Sequence, residues 1–263
     1  MIPAMEISAV IITHNEERRL EDALKSLSGV AAEVIVVDSR STDGTIKLAR
    51  RFTPRVFERD WTNYSDQKNF ANGLASFPWI LSLDADERIS PELKTELLEL
   101  KTRTPDEACA GFSIPRRVFY LGRWIRHSGW YPDRRVRLFR GNRAHWEGDY
   151  VHERLVVEGS IEKLHGTIHH FTYRNISDHL ARINTFSDLG AQKLYAERKK
   201  SRWYHLAFLP PARFFKAYLL QLGFLDGFAG LVIAMLTCHA VFVRYAKLRE
   251  IWRRGERIEP LSY

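Results

Sequence analysis

Three carboxylates close the segment WILSLDADE, at Asp84, Asp86 and Glu87. Residues 79–83, apolar apart from Ser82, read as a short buried strand that delivers them. Alternation along a strand puts Asp84 and Asp86 on one side. Two carboxylates at a strand end suit Mg²⁺ or Mn²⁺, hard ions that take oxygen ligands and bridge a diphosphate. An isolated Asp-x-Asp also reads as a strand running into a solvated turn, so its weight comes from its surroundings.

Two further strand ends supply those surroundings. Asp38 closes EVIVVD and runs into SRSTDGT, where a carboxylate can accept a hydrogen bond from a nucleobase while STDGT starts the next helix. Thr13, Asn15 and Glu16, in THNE, follow the apolar run ISAVIIT and can meet a nucleoside, although Asn15 and Glu16 serve equally as helix-start residues. In the second half, Trp130 and Tyr131 lead through Asp133 into Arg134, Arg135 and Arg137. Aromatic faces stack on sugar rings and arginine pairs with phosphate or carboxylate, so these residues have the makings of an acceptor wall; core aromatics with a solvated basic strand face are the alternative. His165, His169 and His170 have no carboxylate nearby in sequence and are not assigned to a metal.

The elements that must hold these residues alternate. Strands are expected at residues 7–13, 33–38, 56–58 and 79–83, with helices at 16–27, 45–51 and 65–74 between them. A further helix is expected at 91–101, with Ser90 as N-cap and proline in its first turn. Such alternation builds an α/β fold with a parallel sheet and covering helices, whose ligands sit beyond the carboxyl ends of the strands. Residues 111–171 change to short segments rich in aromatics, Arg and His, read as a mixed edge of the same sheet.

With these motifs in place, VIITHNEE, VVDSRSTDGT and SDQKNFANGLASFPWILSLDADE resemble the nucleotide-binding half of family 2 glycosyltransferases with the GT-A fold, over about residues 6–100. SDQKN, DADER, RRVRLFRG, VHERL and GFLDGFAG resemble the lipopolysaccharide-core β-glucosyltransferases of that family. The resemblance implies inverting, metal-dependent hexosyl transfer from a nucleotide-diphospho-sugar, UDP-glucose favoured, to a lipid-linked glycan. By position it puts Asp38 at the base, Asp84 near the ribose or donor sugar, and Asp86 on the Mg²⁺ or Mn²⁺. It places Lys68 on the pocket wall, near phosphate, with a solvated helix lysine as the alternative. Inversion needs a base for the acceptor hydroxyl; Glu153 in GDYVHERL is expected to fill that role, with Asp149 as the alternative, and His152 is a further metal candidate. Transfer to polyisoprenyl phosphate or to a peptide, and a non-catalytic sugar-nucleotide-binding protein, are the rival readings.

Composition sets the outer bounds. The 263 residues, 45% hydrophobic and 12% aromatic, are enough for a core, and the net charge is +8. Residues 193–257 hold 13 Lys and Arg against 4 Asp and Glu, leaving 27 against 28 elsewhere, so the basic excess is confined to the tail. That neutral main domain, without a nucleic-acid motif, argues against nucleic-acid binding. Cys109 and Cys238 support neither a disulfide framework nor a thiolate metal site, and the first residues do not read as a cleaved signal peptide.

The tail, residues 201–263, is expected to form a helical, membrane-associating appendage to a GT-A domain at 1–200, whose nucleotide-sugar half is 1–100 and acceptor half 101–175. Prolines 210 and 211 and glycines 223, 227 and 230 are expected to break it, and Phe214, Phe215, Tyr218, Leu219, Leu222 and Leu225 to share one helical stripe. Residues 227–243 are apolar for about 17 residues, at the lower limit for a span. Peripheral or monotopic attachment to an anionic surface on the cytoplasmic side of the inner membrane is therefore expected.

Overall fold

The computed structural model describes residues 5–103, 106–148 and 153–254. The chain divides into two compact units, one of Met1–Arg117 with Asp133–His170, the other of Val118–Pro132 with Phe171–Tyr263.

The first unit opens on the expected alternation: β1 Ile7–Thr13, α1 Glu17–Ser26, β2 Glu33–Asp38, α2 Thr45–Ala49, β3 Val56–Glu58, α3 Tyr64–Gly73 and β4 Trp79–Asp84. Strands β1, β2, β3 and β4 run parallel, and the register aligns Thr13 with Asp38 and Ile12 with Asp84. Those pairings bring three strand ends into one row, because parallel neighbours finish on the same edge. Ile7, Ile11, Val36, Leu81 and Leu83 are buried on the sheet and pack with Leu20 and Leu24 of α1. Asn63 caps α3 by accepting from the Asp66 amide, and that cap fixes the helix start from which Lys68 projects one turn on.

After β4 the chain turns through Ala85 and Asp86 into β5 Glu87–Ile89, then α4 Pro91–Lys101, capped by Ser90 as expected. Next come β6 Cys109–Tyr120, the two-residue β7 Arg123–Trp124, and β8 Asp133–Arg140. They are followed by β9 Ala144–Glu147, β10 Arg154–Val157, β11 Ser160–Lys163 and β12 Ile168–His170. The main sheet follows the order β3-β2-β1-β4-β8-β6-β12-β5, with β11 also on β6; β9 and β10 form a separate antiparallel pair. Antiparallel additions at β8 and at β12 on β5 make this a mixed, mainly parallel sheet.

The second unit contains β7, α5 Ile176–Ala196, α6 Trp203–Phe215 and α7 Gly227–Arg254. The boundary drawn from composition at 200/201 falls inside this unit, because α5 packs Ala191 against Leu248 and Ile251 of α7. The tail departs from the sequence pattern in two ways. Prolines 210 and 211 lie within α6, which continues past them to Phe215. The expected stripe over residues 214–225 is interrupted instead, since a π-helical turn at Lys216–Leu220 gives way to Leu222 at φ 54° and a 3-10 turn at Gly223–Asp226. Asp226 explains that break: buried in the turn, its carboxylate accepts the backbone amides of Arg126 and His127 at 2.8–3.3 Å.

At the centre of this unit His179 lies 2.9 Å from the Tyr120 hydroxyl and stacks on Tyr173 at 4.0 Å between ring centres. Burial, opposed in part by Asp178, pushes its imidazole down to about 4. An unfolded histidine takes its proton near 6.5, so from there down to about 4 the unfolded chain binds more protons and stability falls with pH, by up to about 3 kcal/mol. Thermal melts at about pH 7.5 and about pH 5 should show a larger acid loss for the wild type than for His179→Gln. Equal losses refute that linkage.

Candidate active site

Beyond the carboxyl ends of β1, β2 and β4 the first unit gathers most of the residues singled out from sequence. Asp38 is fully buried, and its carboxylate accepts from the Ser41 amide at 2.7 Å and the Ser41 hydroxyl at 2.5 Å. Asn15, in the left-handed region at φ 54°, accepts from the Thr42 amide at 2.9 Å, while its own amide donates to Ser41 Oγ. These bonds lash the THNE and SRSTDGT loops together, so Asn15 organises the site's wall through its side-chain oxygen and its backbone N–H. Glu16 lies 3.5 Å from Arg19. Thr13 Oγ1, beside Asp38 in the register, is buried without a protein partner, a group poised for a ligand's polar edge.

Asp84 sits between two buried cations. Lys68 Nζ lies 3.1 Å from one of its oxygens and Arg137 2.7 Å from the other. Burial alone would raise this carboxyl, but Arg137 and Lys68 outweigh it and hold Asp84 well below the usual carboxylate range. Arg137 also donates to Glu87 at 2.8 Å, and Arg116 reaches Glu87 at 3.2 Å and Asp133 at 2.6 Å. Glu87, fully buried, accepts the Asp84 amide at 3.0 Å, which fixes the turn carrying both aspartates.

One expectation changes here. Arg137, placed by sequence in an acceptor wall or on a solvated basic strand face, is 4% exposed and holds the floor of the carboxylate cluster, because its strand β8 pairs with β4 and its side chain faces inward. Lys68, expected on the pocket wall with a solvated helix lysine as the alternative, is buried; beyond Asp84 it donates to Glu153 Oε1 at 2.7 Å and lies 4.4 Å from the Trp146 ring centre. Glu153 therefore joins the site through Lys68, and its other oxygen, Oε2, is buried without a partner. Arg135 is exposed and pairs with Asp133 at 2.9 Å. Trp130 and Tyr131 belong to the second unit, where Trp130 packs against Tyr120, Tyr173 and His179. Asp149 and His152 lie outside the described residues.

A residue set aside from sequence enters instead. His170, at the end of β12, stands opposite Glu87 in the register, with Nε2 3.3 Å from Asp86 Oδ2. Its Nδ1 is buried without a partner. Desolvation raises the Asp86 carboxyl, but His170 and Arg19 bring it below its ordinary value, so it is ionised at neutral pH. Among the described residues no three His, Cys, Asp or Glu side chains converge as a complete metal cage. An oxygen and an imidazole nitrogen at this spacing do fit two adjacent positions on an octahedral ion with bonds of about 2.1 Å, which set neighbouring ligands about 3 Å apart. Mg²⁺ and Mn²⁺ accept such sparse protein ligation when substrate phosphate and water complete the shell.

The model of the family described as glycosyl transferase family 2 matches residues 8–158, which take in all three strand ends and Glu153. The chain belongs to glycosyl transferase family 2. A lipopolysaccharide core biosynthesis glycosyltransferase, LpsC of Rhizobium meliloti (strain 1021), is 32% identical over 260 residues, covering 94% of this chain and 95% of the relative. An uncharacterised glycosyltransferase of Rickettsia typhi is 30% identical over 262 residues, covering 96% and 90%. Among solved structures, S. aureus TarS 1–349 aligns over 96% of this chain and 92% of its own at 15% identity and a TM-score of 0.45. The mixed, mainly parallel sheet with helices accords with family 2 and the GT-A architecture.

Proposed function

We propose that this family 2 enzyme is an inverting, metal-dependent hexosyltransferase. It moves a hexose, glucose favoured, from a nucleoside-diphosphate sugar to a lipid-linked glycan of the lipopolysaccharide core, at the cytoplasmic side of the inner membrane. The observation that carries the chemistry is the pairing of Glu153 with Lys68 beside Asp84 and Asp86. Glu153 Oε1 is occupied by the lysine, which leaves the unpartnered Oε2 as the lone pair that takes a proton. The acceptor supports come from the LpsC relative, of whose length this chain matches 95%, and from the apolar, basic tail.

In this reading Thr13 and Asp38 receive the nucleobase and Asp84 orients a ribose or sugar hydroxyl. Lys68 and Arg137 keep Asp84 ionised and fixed, so little reorganisation accompanies transfer. Asp86 and His170 hold Mg²⁺ or Mn²⁺, which when bound neutralises charge on the departing diphosphate. The acceptor hydroxyl oxygen bonds to the anomeric carbon on the face opposite the diphosphate, whose bond to that carbon breaks with inversion. The hydroxyl proton passes to Glu153 Oε2. UDP-glucose is the favoured donor.

A panel of nucleotide sugars with manganese and a core-glycolipid acceptor tests the whole reading, with Glu153→Gln as the informative variant. Wild type should transfer from one donor, and the variant should lose roughly 10²–10⁴-fold in turnover while still binding manganese and nucleotide in calorimetry. No transfer from any donor refutes the function; undiminished transfer by Glu153→Gln refutes the base.

A further inference from the structure

The second unit leaves a surface that its own core does not use. Among the described residues, thirteen of the twenty-two exposed large apolar side chains fall between Trp203 and Phe242, on α6, α7 and the turns joining them. Leu220 is 80% exposed, Phe228 69% and Trp203 66%, far beyond the scattered exposure that ordinary surfaces tolerate. His205 stacks on Tyr245, and Leu206 lines a cavity of about 410 Å³ with Ala246, Arg249 and Arg253, so the start of α6 lies beside the end of α7 and the two form a hairpin. Its turn is closely packed: a Cβ on Gly230 would overlap the Gly223 carbonyl, and Asp226 ties the turn to residues 126 and 127.

Along α7 the exposed side chains follow one helical row. Phe228, Leu231, Met235 and Phe242 recur at spacings of three, four and seven, and Arg249 and Arg253 continue the same row. Apolar turns thus lead into basic ones on a single face. Charge follows the same logic, because residues 199–247 carry seven Lys and Arg and one acid, Asp226, which is 1% exposed. At the basic end of α7, Glu250 is exposed between Arg249 and Arg253 but is paired with Arg254 at 2.9 Å.

We propose that α6, α7 and their connecting turn form one lipid-facing surface that lies in the interfacial layer of a leaflet bearing anionic head groups. The exposed apolar row is immersed, and Arg249 and Arg253 sit at the phosphates. The proposal rests on the lipid-linked acceptor above and adds which surface meets the membrane and how.

Length and composition alone would let α7 cross a membrane. Its packing argues for lying flat. Ala229 and Ile233 near its start pack on Val118, Tyr120 and Ile125, while Leu248 and Ile251 near its end pack on Ala191 of α5. Lys247 pairs with Asp188 at 2.7 Å. Threading α7 through hydrocarbon would carry α5, with its charges, in beside it, at a cost that interfacial placement avoids. A face immersed on one side and packed on protein on the other satisfies both.

The test uses the full chain, purified in detergent and diluted into vesicles of phosphatidylcholine with or without phosphatidylglycerol. Wild type should sediment with the anionic vesicles and less with neutral ones or at high salt. Leu220→Glu/Phe228→Glu changes exposed side chains only and should weaken vesicle binding by roughly tenfold or more. Arg249→Gln/Arg253→Gln should lose several-fold, and only with anionic vesicles. Absence of wild-type sedimentation, or full binding by the double glutamate variant, overturns the proposal. So does a dimer, seen by light scattering, that the glutamates break without altering sedimentation, since a second copy would then cover the face. Donor turnover in detergent is read separately: its absence in the wild type sinks the transfer reading, whereas intact turnover in the glutamate variant shows that lost vesicle binding reports on this surface.

Discussion

Asp86→Ala should lower glycosyl transfer by roughly 10²–10⁴-fold, the rate equivalent of the several kcal/mol that a divalent ion contributes to a departing diphosphate. Asp86 is the acidic residue that faces His170, so its loss removes one of the two groups suited to hold the ion. The fold should persist, since Asp86 lies on a turn that Glu87 fixes through the Asp84 amide. Initial rates across a manganese titration, with manganese binding followed by electron paramagnetic resonance, check both halves. His170→Ala should weaken manganese binding with a smaller loss of saturated turnover. If Asp86→Ala keeps turnover within a few-fold of wild type and binds manganese normally, the ion is held elsewhere.

Arg137→Met carries the largest expected stability loss, about 3–5 kcal/mol. The guanidinium is buried and holds Asp84 and Glu87 at 2.7 and 2.8 Å. Burial opposes its charge, yet those two carboxylates raise its affinity for the proton further still. Removing it leaves Glu87, with no exposed surface, only Arg116 as a cationic partner at 3.2 Å. An unbalanced buried charge costs far more than an intact pair contributes, so adding Glu87→Gln to the methionine variant should restore part of the loss. Urea midpoints of the single and double variants decide the matter. A single-variant loss under about 1 kcal/mol would mean that water already solvates this cluster.

The nucleotide half was readable because its information is local. Short apolar runs marked β1, β2 and β4, and the polar residue after each run fell at the carboxyl edge that parallel pairing dictates. Ser90 with Pro91 likewise announced α4. What was unreadable depends on partners distant in sequence. Lys68 and Glu153 stand 85 residues apart, and nothing near SDQKN signals that its lysine is buried by them. Arg137 looked like one member of a basic strand face, and only the pairing of β8 with β4 turns it inward. His170 had no acidic neighbour in its own segment; the signal would have been its place at the end of a short strand able to pair with β5. In the tail, prolines 210 and 211 were overweighted as breakers, whereas the buried Asp226 turn set the real discontinuity.

Under the proposed ligation, the antiparallel pairing of β12 with β5 would make manganese affinity a reporter of whether the sheet is finished. The DAD turn is synthesised about 80 residues before the histidine that faces it. A nascent or truncated chain ending before β12 would hold every nucleotide-side motif yet offer the ion one protein ligand instead of two. Metal-assisted donor capture would then be weaker until the last strand of the sheet is in place.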